Sequence, residues 1–465
     1  MWNATGVHRL LHLLRSAATS PTRNARTSVV LGRLLGLAFV VCLGTGLYSH
    51  WLQEPLPWMT FATRPVWLYQ VTQGVHVTVG IACVPLLLGK LHAVFPQLFQ
   101  WPPVRTPLQL LERASIALFV ASSILQLVTG LLNTYQWYPW PFPFRQVHFA
   151  LSFVIVGSLV VHVGVKLPLI VRYWRARDSY DAEGRFVEPD AALDPARADF
   201  AAEVELGRRR ATGRAPDPGH EARGLVGRLQ RWIDRDPDEV DEVPAGRRAP
   251  DAAAVAGREA ATARRERVSR RVFFAAVGAA TGGVVLLTGG QSFTPLVPFN
   301  AFGARVRGVG PNDLPINRTA AAARVLETAM DPEWRLTVAN GATSRAFSAD
   351  DLLAATQVDA ALPISCVEGW SQTGHWRGVR LVDLVDSVGG VPEGGRLRIT
   401  SLEERGGYRV TEMGREYAVD PLTLVALELN GERLSIDHGY PARVIAPGRP
   451  GVLQTKWLST IEVLS

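Results

Sequence analysis

Cysteine, lysine and methionine are scarce in this chain of 465 residues, with three, three and four of each. So few cysteines exclude a disulfide-stapled scaffold. Lysine occurs only at positions 90, 166 and 456, so arginine carries the positive charge, a compositional preference rather than a function. The net charge of +7 does not point to nucleic acid, because the arginines lie mostly beside hydrophobic stretches. Residues 173–268 hold few of the large apolar residues that a core needs; Arg, Asp, Glu, Ala and Pro dominate there with roughly balanced charge. Such a segment cannot bury enough apolar area to offset its ordering entropy. It is expected to be a charged, cytoplasmic, disordered linker, with short helices near 195–212 and 220–233.

What is abundant is apolar. Five stretches approach the roughly 20 residues that a membrane-spanning helix needs: Val29 to Tyr48, Val66 to Val94, Ala114 to Leu132, Val147 to Val171 and Val272 to Gly289. Arg9, Arg15, Arg23, Arg26 and Arg33 precede or open the first; Arg105 and Arg113 lie between the second and third; an arginine series follows the fourth. The other two loops hold Trp51, Trp58, Trp67, Tyr135, Trp137, Tyr138 and Trp140. Positive loops stay inside and aromatics gather at the interface, so the N-terminus and the linker are expected inside and the C-terminal domain outside. No cleavable signal is apparent before the first span.

Ser269-Arg270-Arg271-Val272-Phe273-Phe274 opens the fifth span. The string resembles the twin-arginine export motif, which implies recognition by that translocation machinery and export of a domain already folded around a cofactor. The span is expected to remain as an anchor over 269–290.

Ionisable residues inside spans are functional candidates by default. His148 and His162 are 14 residues apart, about 3.9 turns and roughly 21 Å of helix, so they share a face near opposite ends of the fourth span. The second span carries His76 and His92, 16 apart, which an ideal helix turns to opposite sides; Pro85 and Gly89 between them are candidate kinks. Residues 29–172 resemble the di-haem cytochrome b subunits of membrane redox complexes. That resemblance implies one or two b-type haems, with His76 opposite His148 near the outer face and His92 opposite His162 near the inner face. Interfacial placement or hydrogen bonding between helices is the competing reading for each histidine.

From about 305 the texture is that of a globular domain. Short apolar runs at Trp334–Val338, Arg396–Ile399, Ala442–Ile445 and Trp457–Val463 predict strands, and helices are expected over Ser348–Ala355 and Leu381–Val388. Ser348 is a plausible N-cap with Asp350 and Asp351 in the first turn. Cys366 is the lone cysteine of this domain. An unpaired thiol in an exported domain is a reactive group, a metal ligand or a buried hydrophobe.

The motifs around Cys366 narrow that choice. Cys366-Val367-Glu368-Gly369-Trp370-Ser371, Trp376-Arg377-Gly378-Val379, Leu381-Val382-Asp383-Leu384, the run from His438 to Gly448, and Gly451 through Lys456-Trp457-Leu458 follow in order. Together they resemble the sulfite-oxidase-type molybdopterin domain over about 310–463. The motifs run to the end of the sequence, so the expectation is a domain closer to the bacterial YedY type, the catalytic subunit of periplasmic methionine sulfoxide reductase, than to sulfite oxidases with an immunoglobulin-like dimerisation domain. The resemblance implies a molybdenum–molybdopterin cofactor with Cys366 as the thiolate ligand and catalytic centre. Asn317, Ser401, His438, Arg443, Gln454, Thr455 and Lys456 are implied as pterin or phosphate contacts. The competing readings are a salt bridge for Arg443, solvation for Lys456, and core packing for Trp376 and Trp457. Where sulfite oxidases carry arginines just after the cysteine, this chain has Val-Glu-Gly-Trp; that weighs against sulfite.

The expected architecture is multi-domain: a four-helix transmembrane bundle over 1–172, the linker over 173–268, the fifth anchor span, and a mixed α+β, mostly β, molybdopterin domain over 305–465. The expected function is a membrane-bound oxidoreductase that exchanges electrons between an extracytoplasmic molybdenum centre and the quinone pool through b-type haems, with quinol-driven reduction of an S-oxide or N-oxide favoured over a substrate that feeds the quinone. Its implied partners are quinone or quinol, a small oxo-transfer substrate, the twin-arginine machinery and the lipid bilayer, with no nucleic acid. A sulfite dehydrogenase and a non-catalytic membrane-anchored sensor are the rivals.

Overall fold

The computed structural model of the protein describes residues 22–98, 107–175, 177, 179–180, 186–187 and 252–464. Five long helices come first: α1 (Ala25–Gln53), α2 (Leu68–Leu98), α3 (Pro107–Thr134), α4 (Phe144–Arg172) and α5 (Ala252–Gly289). Each contains a stretch long and apolar enough to cross a membrane by length and composition. Leu37, Val40, Leu88, Leu118, Val160 and Val171 are exposed on them, an arrangement that water penalises and hydrocarbon does not.

Helix α2 runs unbroken past Pro85 and Gly89. Helix α5 begins well before its apolar stretch, so residues 252–268 of the expected linker are helical. Alanine, arginine and glutamate dominate that extension, and all three are good helix formers. The linker helices expected near 195–212 and 220–233 lie outside the described residues.

The C-terminal region is mostly β. Its strands are β1 (Arg335–Asn340), β2 (Thr343–Ser348), β3 (Gln357–Ser365), β4 (Ser371–Arg380), β5 (Arg396–Ser401), β6 (Val410–Gly414), β7 (Leu424–Leu429), β8 (Glu432–Arg433), β9 (Arg443–Ile445) and β10 (Leu458–Leu464). They form two sheets, ordered β2-β1-β10-β5-β6 and β3-β4-β7-β8, with β9 also on β7. Among the described residues only β1 and β10 pair in parallel, as expected of strands separated by a long crossover.

Sequence pattern explains which faces are covered. In β5, Leu397, Ile399 and Ser401 are buried between more exposed neighbours, the alternation of a strand with one face in the core. Strand β7 reads Leu-Val-Ala-Leu-Glu-Leu and is buried on both faces. One face, with Val425 and Leu427, joins Leu336, Leu397, Ile399 and Ile461 in the larger core. The other, with Leu424, Ala426 and Leu429, joins a second core that contains Leu362, Trp376, Trp370 and Cys366. The short helix Ala349–Ala354 starts on a Ser348 capping box closed by Asp351, which satisfies two otherwise orphaned N–H groups.

The described residues divide into two compact units. One draws on Met1–Leu37, Cys83–Gln126 and Phe149–Thr281, the other on Ala38–Ala82, Leu127–His148 and Gly282–Ser465.

Candidate functional site: a buried thiol, a nest of cations and a histidine pair

Cys366 follows the last residue of β3. Its N–H donates to Trp370 O (2.9 Å) and its carbonyl accepts from Gly369 N (3.0 Å), closing the tight turn into β4. Gly369 takes φ +99°, where a side chain would be strained, and a Cβ there would lie 2.8 Å from Val77 Cγ2. The thiol is 2 % exposed. Burial pushes it well above the ordinary thiol range, and Glu368 pushes it further the same way. Such a sulfur stays protonated unless a metal takes the proton's place. Glu368 accepts from Trp370 Nε1 (3.1 Å) and from Gln136 Nε2, and Arg305 lies 3.5 Å away. Burial raises this carboxyl too, against the pull of Arg305.

Behind the turn is a group of buried cations. Arg443 opens β9 and donates to His438 O (3.0 Å) and Gln454 O (3.1 Å), while its Nε has no partner. Burial lowers it to about 9. Lys456 Nζ donates to Asn317 Oδ1 (3.3 Å), Arg318 O (2.6 Å) and Asp437 O (3.0 Å); burial, then Arg443, lowers it to about 7. His438 Nε2 lies 3.1 Å from the Leu314 carbonyl, which can only accept, so that nitrogen carries the proton. Burial first, then Arg443, lowers His438 to about 4. Among the described residues, neither Arg443 nor Lys456 forms a carboxylate ion pair within 4 Å. Buried cations held by carbonyls and the faces of Trp376 and Trp457, with no carboxylate, are costly unless an anion joins them. The donor set therefore fits an anionic pterin phosphate.

The other sequence-predicted residues fall around this nest in different roles. Gln454 spans it, donating to Arg449 O (2.9 Å), with its Oε1 unpartnered. Ser401 donates to Lys456 O (2.7 Å) and accepts from Glu403 N, and Thr455 pairs with Thr411 through their hydroxyls (2.8 Å); both hydroxyls serve the framework. Gly439, φ +110°, lets the chain pass Lys456 and Arg443 with no Cβ to hit them. Arg449 went unpredicted. It is buried over the Tyr417 ring, one Nη without a partner, and burial lowers it to about 10. Its signal was available in Pro447-Gly448-Arg449-Pro450-Gly451, a charge between turn residues.

The histidines of the long helices divide sharply. His76 and His148 face each other with ring centroids 6.2 Å apart and planes at 69°. His76 Nδ1 lies 3.0 Å from Cys42 O and 3.1 Å from Thr45 Oγ1. A carbonyl cannot donate, so Nδ1 carries the proton and Nε2 keeps its lone pair. His148 Nδ1 lies 3.1 Å from Thr129 Oγ1. Gly46 and Gly130 stand beside the two rings, where a Cβ would come within 3.0 Å and 3.2 Å of His76 and His148. A metal bound here would be held between the His76 and His148 rings, with His76 Nε2 free to ligate it.

His92 and His162 make no ring contact with each other. His92 stacks on Phe273 (5.1 Å) and its Nε2 meets Thr22 Oγ1 (3.0 Å). His162 stacks on Phe119 (5.7 Å) and its Nδ1 has no partner. Among the described residues no three or more His, Cys, Asp or Glu side chains gather as a metal cluster.

Residues 323–465 match the family model for the oxidoreductase molybdopterin binding domain. The C-terminal region is a molybdopterin-binding oxidoreductase domain. A sulfite oxidase from Arabidopsis thaliana is 36% identical over 104 residues, 19% of this chain and 26% of that protein. A nitrate reductase [NADH] from Spinacia oleracea is 40% identical over 100 residues, 20% and 11% respectively. The mitochondrial sulfite oxidase of Drosophila melanogaster is 35% identical over 118 residues, 23% and 20%. The chain thus spans only about a quarter or less of the length of these relatives. A solved chain of the sulfane dehydrogenase SoxCD from Paracoccus pantotrophus overlaps 29% of this chain and 38% of its own, at TM-score 0.27 and 23% identity. The matched residues cover the molybdopterin domain and none of the long helices.

Proposed function

We propose that the protein is a membrane-bound molybdopterin oxidoreductase that draws electrons from a quinol through a single b-type haem and reduces an S-oxide or N-oxide. The observation that carries the reading is the His76–His148 pair, 6.2 Å between ring centres, in the same compact unit as Cys366. When bound, a molybdenum–pterin centre exchanges one oxygen atom and two electrons with a substrate. In the net reaction for an S-oxide, one sulfoxide and one quinol give one sulfide, one quinone and one water. The quinol supplies both electrons and both protons, and the sulfoxide oxygen leaves in the water.

The chain's own residues divide the work. Cys366 would hold the metal through its sulfur, from a tight turn closed by the Cys366 N–H to Trp370 O bond. Arg443, Lys456 and the His438 N–H supply the buried positive field that an anionic pterin phosphate needs. Thr45 and the Cys42 carbonyl hold His76 in the tautomer that leaves Nε2 free, and Thr129 steadies His148; such outer partners orient a ligand and raise its basicity. Arg305 near the thiol is paired with Glu368, which leaves little free positive charge for sulfite. The Ser269–Phe274 string favours export of the folded domain through the twin-arginine route.

Quinol-dependent turnover of detergent-solubilised protein tests this, with methionine sulfoxide and sulfite as rival substrates. Oxidation of the quinol by methionine sulfoxide supports the proposal. Reduction of quinone by sulfite, with no response to the sulfoxide, reverses it. A protein without molybdenum is the scaffold of a sensor instead.

A further inference from the structure

Gln73 is an unusual residue for an apolar helix. It is 5 % exposed, and its Nε2 donates to Val367 O at 2.8 Å, the carbonyl of the residue after Cys366. Its Oε1 is buried without a partner. Leaving half an amide unsatisfied in an apolar setting is costly, so core packing alone does not explain its presence. On α2 it lies three residues before His76, hence on the same face.

The neighbouring contacts clamp the same two pieces. Gly369 packs against Val77 closely enough to leave no room for a Cβ, and Gly74 does so against Ser292. Ser292 Oγ donates to Gly369 O, and Ser371 N donates to Gln291 O at 2.9 Å. The Cys366–Trp370 turn is therefore held on the α2 turns that carry Gln73 and His76. Bonds and one short hydrogen bond lead from Cys366 through the Val367 carbonyl and the Gln73 amide to one turn of α2 and His76. Electrons tunnel faster along bonds and short hydrogen bonds than across gaps of equal length.

We propose that Gln73 is a positioning residue for electron transfer, holding the Cys366 turn against α2 and supplying the link between the molybdenum site and the His76–His148 pair. This rests on the function proposed above. Each passage moves one electron, oxidising iron and reducing molybdenum. Two passages match one oxygen transfer, and no bond to Gln73 forms or breaks.

The test uses the full-length holoprotein in detergent. A flash of photoexcited deazaflavin reduces the haem, and the decay of its reduced band reports equilibration with molybdenum. Gln73→Leu is expected to slow that decay about tenfold or more, the scale that small misplacement of reacting partners produces. The haem spectrum and the line shape of the molybdenum(V) signal should stay as in the wild type. Gln73→Asn keeps the amide but falls one methylene short, and should be slowed similarly. A wild-type rate in either folded variant overturns the role of Gln73, as does a slowed rate accompanied by a distorted molybdenum(V) signal. A wild-type protein whose reduced haem never equilibrates with molybdenum overturns the proposed function itself.

Discussion

The two histidine pairs share the same two helices but have different surroundings. His148 and His162 are 14 residues apart on α4, which leaves them within about 40° of each other around the axis. His76 and His92 are 16 apart on α2, an offset of about 160°. Only a break in α2 could turn both toward α4, and α2 is one continuous helix through Pro85. So His76 meets His148, while His92 turns to Phe273 and Thr22. The surroundings differ too. His76 and His148 each have a threonine at Nδ1 and a glycine against the ring. Four histidines at helical spacing are therefore not equivalently placed; the residues that aim a ring distinguish them.

The largest expected effect breaks this comparison outright. His76→Ala or His148→Ala should abolish the haem absorbance of the solubilised protein, while His92→Ala and His162→Ala should leave it in place. Equal loss in all four variants would mean that both pairs bind. Next, Cys366→Ser should remove the molybdenum(V) signal and turnover yet leave the haem band unchanged. A Cys366→Ser protein that keeps the signal would detach the thiol from the metal. A smaller effect sharpens the role of the outer partners: Thr45→Val or Thr129→Val should weaken haem retention about 10–100-fold, read by haem titration of the stripped protein.

The smallest effect is on pH dependence in cofactor-free protein. His438 is lowered from 6.5 to about 4, so its contribution is present above pH 6.5 and is lost as pH falls toward 4. Lys456 is lowered from 10.5 to about 7, so its contribution is present above 10.5 and is lost as pH falls toward 7. Thermal unfolding should therefore show stability rising from pH 7 to 10.5, and Lys456→Met should flatten that rise. An unchanged slope in Lys456→Met would place the titration elsewhere.

Much of the fold was legible because it rests on local pattern. Long apolar runs marked five helices, and short apolar runs between turn residues marked β1, β5, β9 and β10 near their observed positions. The Ser348 cap was readable because its chemistry spans only three residues. The start of α5 at Ala252 was not, since charge masked an alanine-rich helix former. In the site, Cys366, Arg443 and Lys456 stood out through their motifs. Arg449, Gln136, Arg305 and Gln73 did not, because their partners lie far away in sequence: Gln73 meets Val367, and Arg305 meets Glu368. The choice between the histidine pairs also depended on whether α2 bends at Pro85, which a single proline does not decide.

Metal analysis of the purified, detergent-solubilised protein tests the central claim most directly. One histidine pair and one thiol predict about one iron, as b-type haem, and about one molybdenum per chain. Two irons per chain, or molybdenum with no iron, would contradict the account.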